Sequence, residues 1–363
     1  MVTQDTQPAH SRVPLPRVAR APTWLVVVSG LLGALVMICA VCSFALAAVG
    51  PDRVLAFRDR VLGNSAGERA AALGQIIQVI RGEEVWPVPG NGRLTILLMG
   101  VDRRPDEKGQ PARSDAMTLV TIDPVSKTAA LLSIPRDLYV PLADLNRVDR
   151  INTAYFYGDA ESLPGGGPQV AKDTLAWNLG IPVQKHFIIN FNGFRKAIDA
   201  LGGIDMDVPK TIVDDQYPTD DYGVERLVIP AGRTHMNGDL ALKYVRTRHA
   251  DSDFGRLERQ QQVLLAVRQK ALSLGLLSQL PALLDAVSGS YETDLTVAEM
   301  LSIGKVWSSI PRDSIATYRI DETMTQAWTT PGGAMVLIPR REAIAPLVAA
   351  FLGQSKPLPA GVP

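Results

Sequence analysis

The feature that most constrains this chain is an apolar run without a charged residue, from Trp24 to Val49. The run is longer than the roughly 20 residues that a helix needs to cross the hydrocarbon core of a membrane. Residues 45–47 (Ala-Leu-Ala) resemble a signal-peptide cleavage site, but the apolar part of a signal peptide spans only about 7–15 residues. We therefore predict a retained transmembrane helix over residues 23–50, preceded by a tail of residues 1–22.

Basic residues lie on both sides of the apolar run, so the positive-inside rule does not give its orientation. They are Arg12, Arg17 and Arg20 before the run and Arg53, Arg58 and Arg60 after it. Residues 51–92 are predicted to form a stalk and linker. Residues 93–353 are long enough for one large globular domain, and residues 354–363 are predicted to be a C-terminal tail.

Within residues 93–353, short apolar runs alternate with amphipathic segments. The runs 94–100, 116–123, 128–134 and 185–191 predict strands, with a hairpin turn at 124–127. Helices are predicted over 167–180, over 192–203 with Asn192 as the N-cap, and over 253–277. Strands that alternate with helices favour an α/β or mixed α+β domain in which helices cover a central sheet.

Charged residues follow the predicted strands directly. Asp102 comes after the first strand, with Arg113 and Asp115 in the loop beyond it, and Arg136 and Asp137 follow the third strand. Because ligand crevices form at strand ends in open sheets, these residues predict a site at the rim of the sheet. The alternative is a solvated loop with weak ion pairs.

A second polar cluster occupies residues 243–262, although the whole chain balances 37 basic against 37 acidic residues. In an extended segment Arg246 and Arg248 project to the same side, and on a helix Arg256 and Gln260 share a face. Guanidinium groups beside a helix N-terminus suit a phosphate or pyrophosphate. The balanced charge and the lack of a basic stripe make nucleic acid a poor fit.

Two carboxylates accompany the arginines of the first loop, and two interpretations of them stay open. Asp102 and Asp115 are suited to hold Mg²⁺, which prefers oxygen ligands and often shares a site with substrate phosphates. Alternatively, each neutralises a neighbouring arginine. The four histidines show no metal-binding spacing, and Cys39 and Cys42 both lie inside the apolar run.

Several segments, in this order, resemble the LytR–CpsA–Psr family. They are LLMGVDRR, ARSDAMTLVTIDP, LLSIPRDLYVPL, RINTAYFYG, DALGGIDMDVP, and ALKYVRTRH followed by DSDFGRLERQQQVLLA. The resemblance implies a membrane-anchored, extracytoplasmic bacterial enzyme that transfers a glycopolymer from a polyprenyl-pyrophosphate carrier to peptidoglycan, forming a phosphodiester. It also implies a single-pass protein of the cell membrane with a cytoplasmic N-terminus, and a lipid pocket between the sheet and the helices.

The resemblance implies roles for individual residues. Asp102 and Asp115 match the magnesium-associated aspartates of the family. The pyrophosphate-contacting positions are matched by Arg113, Arg136, Arg246, Arg248 and Arg256, and further polar positions by Gln260 and Asp253. Of these, the catalytic set comprises Arg136, Arg246, Arg248 and Asp253.

Some roles stay open at this point. A general base for the acceptor hydroxyl would be Asp253 or Asp137, or no protein group at all. The roles of Arg103 and Arg104 are not assigned. Two other functions would suit the same residues. One is hydrolysis of lipid pyrophosphates, and the other is a non-enzymatic role as a regulatory protein or as a protein that binds the lipid carrier.

Overall fold

The computed structural model describes residues 65–80, 85–103, 110–219, 223–248, 252–274 and 286–354. All of them belong to one unit, Asp59–Pro363. The predicted transmembrane helix lies outside the described residues. Within them, no helix combines the length and the apolar character that crossing a membrane requires.

The elements of the described residues follow in chain order. The strands are β1 (Leu94–Val101), β2 (Ser114–Asp123), β3 (Thr128–Ser133), β4 (Tyr139–Pro141), β5 (Val148–Arg150), β6 (Lys185–Asn190), β7 (Ile204–Val208), β8 (Ile212–Pro218), β9 (Val224–Ile229), β10 (Gly232–Met236), β11 (Tyr291–Thr293), β12 (Ile315–Arg319), β13 (Thr325–Thr329) and β14 (Met335–Pro339). The α-helices are α1 (Ala66–Ile80), α2 (Thr153–Ala160), α3 (Gly166–Leu179), α4 (Phe191–Ala200), α5 (Gly238–Arg246), α6 (Asp253–Ser273), α7 (Val297–Ser309) and α8 (Arg341–Phe351). Short 3₁₀ turns span Pro89–Asn91, Arg312–Ser314 and Glu322–Met324.

A six-stranded mixed sheet forms the centre of the domain, in the order β11-β6-β1-β2-β3-β12. The hairpin β2–β3 and the pair β1–β2 are antiparallel, whereas β1 runs parallel to β6 and β3 runs parallel to β12. The predicted strands and hairpin are therefore confirmed, with small differences at their ends. β1 ends opposite the last residue of β6 and the first residue of β2, so three strand ends meet at one edge.

Helices cover both faces of the sheet, as the fold class predicts. On one face Leu97 and Met99 of β1 pack in a core with α2, α3 and α8. On the other face Leu98 and Val120 pack with α6 and α7. Since successive side chains of a strand point to opposite faces, a strand buried on both sides has to be apolar throughout. This explains why β1 is apolar except for the buried Thr95.

A second core joins α4, α5 and α6 to the ribbons β7–β10 and β8–β9 beside the sheet. The N-cap of α4 is Asn190, whose side chain accepts a hydrogen bond from the Gly193 backbone at 2.8 Å, so the prediction of Asn192 was wrong by two residues. At the start of α5, a Cβ on Gly238 would lie 2.2 Å from the carbonyl oxygen of Arg195 in α4. Glycine at this position therefore permits the close contact between the two helices.

The prediction of an extended segment through Arg246 and Arg248 was also wrong. Arg246 is the last residue of α5, and only Thr247 and Arg248 are non-helical before the described chain is interrupted. The helix begins at Asn237, whose side chain accepts a hydrogen bond from the Leu240 backbone. Apolar residues with helical spacing then bury one face of α5, which overrides the strand preference of valine, tyrosine and threonine.

Candidate functional site

A cavity of about 500 Å³ lies between the sheet and the helices α4, α5 and α6. Most of its wall is apolar. Charged groups gather at one end of the cavity, beside the last residues of β1 and the first residues of β2. The apolar lining includes Leu98, Phe187, Ile189, Phe191, Phe194, Ile198, Leu242, Val263, Leu264 and Val267. The polar lining includes Asp115, Arg136, Asp214, Gln216, Arg246, Arg248, Arg256 and Gln260. The cavity thus suits a ligand with a long apolar part and an anionic head.

The register of β1 and β2 places Asp115 in this cavity. Gly100 pairs with Ala116 and Val101 pairs with Ser114, so Asp115 is the extra residue of a β-bulge. A bulge bends its strand and redirects a side chain. The carboxylate of Asp115 accepts a hydrogen bond from Nη1 of Arg136 at 2.5 Å.

Arg136 reaches the cavity from the loop that follows β3. Its Nε lies 3.5 Å from Oδ2 of Asp137, in addition to the contact with Asp115. Burial acts to lower the pKa of Arg136, but the negative charges of Asp115 and Asp137 outweigh it and raise that pKa. The guanidinium is therefore held in place as a permanent cation at the rim of the sheet.

Arg246 is held by three contacts. Its Cζ lies 4.4 Å from the ring centroid of Phe191, and its Nη1 donates to the Tyr217 hydroxyl at 3.5 Å. Its Nη2 lies 3.7 Å from Oδ2 of Asp102. Asp102 is not part of the cavity lining but is brought to its edge by this ion pair.

Arg256 lies in the first turns of α6 and is only 5% exposed. Its Nη1 lies 3.0 Å from Oδ1 of Asp253. Burial lowers the pKa of Arg256, against the opposing charge of Asp253. The positive charges of Arg136 and Arg248 lower this pKa further, so an anion among the three cations would relieve their repulsion.

Arg248 and Gln260 complete the polar end of the cavity. Arg248 is exposed and forms no ion pair with any residue that the structure describes. Gln260 donates through Nε2 to the Val245 carbonyl at 3.4 Å. Its Oε1 and the Nε of Arg256 are buried without a hydrogen-bond partner in the described part of the chain, which is costly unless a ligand contacts them.

Other residues of the 243–262 cluster serve the fold. Arg259 is 5% exposed and donates to the backbone carbonyls of Tyr244 and Thr247. Lys243 lies 2.7 Å from Oε1 of Glu225, outside the cavity lining. The cation count in the sequence therefore overstates the number of arginines that face the cavity.

Asp214 was missed by the sequence analysis. It is 1% exposed, lines the cavity, and accepts a hydrogen bond of 2.6 Å from the Thr247 hydroxyl. Thr247 lies between Arg246 and Arg248, so this bond and the Arg259 contact together fix the segment that carries both arginines. Asp214 and Thr247 are far apart in the chain, and no local pattern relates them.

Two arginines of the first loop are not part of the cavity lining. Arg113 is exposed, with its Cζ 5.9 Å from the ring centroid of Phe156. Arg103 donates to the Tyr155 hydroxyl at 3.2 Å and lies 3.6 Å from Oδ2 of Asp159. Arg104 lies outside the described residues. Both described arginines are close in sequence to Asp102 or Asp115, but neither is part of the cavity lining.

The donor set for a metal ion comprises two carboxylates. Asp102 follows β1 directly and Asp115 lies in the bulge of β2, so both are at the same end of neighbouring strands. No cluster of three or more histidine, cysteine, aspartate or glutamate side chains occurs in the described ranges. Two carboxylates still fit Mg²⁺, which commonly takes one or two carboxylates together with substrate phosphates and water.

A family model and several named relatives match this chain. The model of the LytR_cpsA_psr family matches residues 68–347. TagV of Bacillus subtilis, named a polyisoprenyl-teichoic acid–peptidoglycan teichoic acid transferase, is 34% identical over 230 residues, which cover 62% of this chain and 56% of TagV. TagU of Enterococcus faecalis, named as the same kind of transferase, is 32% identical over 244 residues, covering 63% of this chain and 75% of TagU.

Solved structures share the fold. The crystal structure of B. subtilis TagV superposes with a TM-score of 0.59 at 30% identity, covering 73% of this chain and 99% of that one. A structure of TagT bound to LIIa-WTA superposes with a TM-score of 0.58 at 28% identity, covering 75% of this chain and 98% of that one.

Proposed function

The chain belongs to the LytR_cpsA_psr family, and we propose on that basis that it transfers a glycopolymer from a polyprenyl-pyrophosphate carrier to peptidoglycan. The similarity to named teichoic acid transferases supports transfer of this general kind. The observation that carries the proposal is the cavity, which combines an apolar wall with arginines at its polar end. A lipid pyrophosphate has this same division into an apolar chain and an anionic head.

In the proposed complex the polyprenyl chain lies along the apolar wall and the pyrophosphate contacts Arg136, Arg246, Arg248 and Arg256. Guanidinium groups bind phosphate oxygens in a bidentate manner. The electrostatic attraction between two charges is stronger when they are buried than when they are exposed to water. Gln260 presents an amide beside them. Arg113, which is exposed and stacked on Phe156, is proposed to meet only the part of the ligand that extends out of the cavity.

The proposed reaction is attack by a peptidoglycan hydroxyl on the phosphorus that carries the glycopolymer. The bond from that phosphorus to the bridging oxygen breaks, polyprenyl phosphate leaves, and a phosphodiester joins glycopolymer to peptidoglycan. Negative charge grows on the bridging oxygen, and preorganised cations stabilise it more in the transition state than in the ground state. Arg136, Arg246 and Arg248 are the proposed catalytic arginines.

A base has to accept the proton of the acceptor hydroxyl. Two carboxylates that contact the arginines of the site are candidates. Both oxygens of Asp137 already contact arginines, Oδ2 with Arg136 at 3.5 Å and Oδ1 with Arg150 at 3.4 Å. Among the described residues, Asp253 forms one ion pair, between its Oδ1 and Nη1 of Arg256. We therefore favour Asp253 as the base, because its second oxygen is the more accessible to a proton.

Mg²⁺ is proposed as the cofactor, held by Asp102 and Asp115 together with oxygens of the pyrophosphate. When bound, it would neutralise charge on the phosphates during transfer. Calorimetric titration of Mg²⁺ in the presence of inorganic pyrophosphate tests this. Asp102→Asn and Asp115→Asn should each weaken metal binding, whereas Asp207→Asn, on the exposed side of β7, should not. Equal metal affinity in all four proteins would make the two aspartates arginine partners only.

We further propose that residues 24–49 anchor the protein in the cell membrane, with the domain outside and the N-terminus in the cytoplasm. A carrier with a long polyprenyl chain resides in the bilayer, so an anchored enzyme meets it at high local concentration.

The experiment that tests the function combines the full-length chain in detergent with a lipid-pyrophosphate glycan and peptidoglycan oligomers. Mass spectrometry should find the phosphodiester-linked product and polyprenyl phosphate. Release of free glycan phosphate without linkage would indicate a hydrolase instead. Binding of the lipid with neither product would indicate a carrier-binding protein and would contradict the proposal.

A further inference from the structure

A pair of aromatic rings, one of them exposed, lies on β4 and β13, and β4 begins three residues after Arg136. Tyr139 of β4 and Trp328 of β13 have ring centroids 5.8 Å apart at an interplanar angle of 58°. Trp328 remains 42% exposed, although it packs against a neighbouring ring. Exposed apolar surface indicates an interaction site when it forms a contiguous patch, so the neighbours of this pair matter.

The pair belongs to a longer strip on one face of the β4–β5 ribbon. Tyr139 lies directly opposite Arg150, and Pro141 lies opposite Val148, so these four side chains share a face. Pro141 and Val148 are exposed, whereas Val140, on the other face, is 1% exposed. We call the five residues Tyr139, Pro141, Val148, Arg150 and Trp328 the aromatic strip.

The aromatic strip is connected to one of the proposed catalytic arginines, Arg136, through Asp137. Nη1 of Arg150 donates to Oδ1 of Asp137 at 3.4 Å, and Oδ2 of Asp137 lies 3.5 Å from Nε of Arg136. The hairpin that carries Trp328 is fixed to the same loop, because the Leu337 backbone donates to the Asp137 carbonyl at 2.9 Å. The strip is therefore linked through Asp137 to Arg136, which lines the cavity.

From this arrangement we infer that the aromatic strip is the binding site for the sugar rings of the peptidoglycan acceptor. The inference rests on the proposed function. A pyranose ring has an apolar face of C–H groups with partial positive charge, which packs on the negative face of an aromatic ring. Its rim carries hydroxyls, to which the partly exposed guanidinium of Arg150 can donate.

The charge of the strip argues for a sugar rather than a membrane. The Arg150–Asp137 pair is balanced, and Gln326 and Thr329 are exposed beside Trp328, so the surface is amphipathic without an excess of cations. An anionic membrane surface would favour clustered lysine and arginine next to apolar residues. A mixed aromatic and polar surface is what a neutral carbohydrate requires.

The acceptor, unlike the donor, depends on contacts outside the cavity for its binding and orientation. The donor is held by its lipid chain and its pyrophosphate, both of which the cavity can bind. The acceptor hydroxyl has no phosphate beside it, so contacts with the sugar rings must bring it into line with the phosphorus. Positioning of this kind is a large part of the rate gain in group transfer.

The test is a calorimetric titration of peptidoglycan oligosaccharides into the full-length protein in detergent, which measures their binding affinity. Trp328→Leu removes the ring but keeps apolar volume, Trp328→Phe keeps a ring, and Tyr139→Ala removes the second ring. The matched control is Trp177→Ala, since Trp177 is 63% exposed on α3. Thermal unfolding of each variant confirms that it is folded.

We expect Trp328→Leu and Tyr139→Ala to weaken oligosaccharide binding about fivefold to tenfold, the effect of losing one stacked ring. Trp328→Phe should stay within about threefold of the parent, and Trp177→Ala should have no effect. Affinity for the lipid-pyrophosphate donor should be unchanged in all four. In the transfer assay, the KM for the acceptor should rise while the KM for the donor stays constant.

Three results would overturn the inference. They are unchanged oligosaccharide affinity in Trp328→Leu, an equal loss in the Trp177→Ala control, and a loss of donor affinity in place of acceptor affinity. The binding measurement needs no turnover, so it is separate from the proposed function. A parent protein that forms no linked product but binds sugar through Trp328 would refute the function and leave the site standing.

Discussion

At the scale of single residues, hydrogen-bond partners distinguish Arg259 from Arg248 within residues 243–262. Arg259 is buried and satisfies two backbone carbonyls, whereas Arg248 is exposed at the cavity and has no ion-pair partner in the described chain. An arginine whose hydrogen bonds are all internal stabilises the fold. One that faces a cavity without a partner is available for an anion.

Substitution of the two arginines should therefore give opposite results. Arg248→Ala should weaken binding of a lipid pyrophosphate at least about tenfold, because a charge-assisted contact is worth about 1.5–3 kcal/mol, while the melting temperature stays nearly constant. Arg259→Ala leaves two buried carbonyls without donors and should cost about 1–3 kcal/mol of stability for each.

Calorimetric titration and thermal unfolding on both variants check this prediction. Arg248→Lys serves as a graded control and should recover only part of the affinity, because an ammonium group cannot form the bidentate fork. A stable Arg259→Ala protein, or an Arg248→Ala protein that melts early and binds normally, would contradict the division of roles.

The sequence could predict several residues that line the cavity but not all of their surroundings. Asp115, Arg136 and Arg256 are recognisable from their place after strands or in a helix start. The pairing of Asp214 with Thr247 was not predictable, because it depends on how the β8–β9 ribbon packs beside α5. Likewise, only packing shows that Arg259 turns inward to the backbone.

At the scale of elements, Asp294 joins three parts of the domain at the edge of the sheet, outside the cavity lining. Its Oδ2 accepts a hydrogen bond from Nζ of Lys172 in α3 at 3.0 Å, and its Oδ1 accepts one from the His186 backbone in β6 at 2.8 Å. Asp294 itself directly precedes the segment that leads into α7. Burial acts to raise its pKa, but the hydrogen bonds from His186 and Lys172 outweigh it and hold that pKa far below the usual range.

Asp294→Asn should destabilise the protein by about 1–3 kcal/mol at pH 7, because Lys172 is 7% exposed and loses its charge partner. The folded-state pKa of Asp294 is depressed, so its contribution is complete above the unfolded value of about 4 and disappears as the pH falls toward the folded value. The stability difference between parent and variant should thus be constant from pH 7 to about pH 5 and shrink below about pH 4.

Urea unfolding of the parent and Asp294→Asn proteins at several pH values measures that difference. Asp207→Asn is the matched control, since Asp207 is exposed on β7 and its replacement should stay within about 0.5 kcal/mol. A gap that persists unchanged to pH 2.5 would mean that the aspartate charge does not contribute.

Element boundaries show what local sequence can and cannot specify. The capped ends of α3 and α6 follow residue types, glycine after the former and Ser252 before the latter. α5 was misread as extended, because valine, tyrosine and threonine favour strands when packing is ignored. Its N-cap Asn237, followed by apolar residues with helical spacing, is the signal that identifies it.

At the scale of the whole molecule, the helix α1 relates the predicted stalk to the domain. α1 packs against α7, and the Val85 backbone donates to the Ser302 hydroxyl at 3.0 Å. The chain that leads from the apolar run into the domain is thus attached to the surface of α7.

The sequence predicted the sheet and its covering helices because each strand is a separate apolar run. It did not predict how β11 and β12 extend the sheet at both ends, since these strands pair with partners more than a hundred residues away. Short strands of this kind carry little local signal, and their pairing depends on the assembled core.

The last prediction concerns the anchor. Full-length protein should remain in the membrane fraction and keep its residues before Trp24, and protease added to intact spheroplasts should digest the domain. Met37→Arg places a charge near the middle of the apolar run and should cost about 2.5–3.5 kcal/mol of insertion free energy, shifting protein out of the membrane fraction. Leu25→Arg is the matched control, because an arginine near the end of a span can extend its charge to the interface at little cost. A mature protein that begins near Ala48, or a domain that resists protease until the spheroplasts are lysed, would contradict the anchored, extracytoplasmic arrangement.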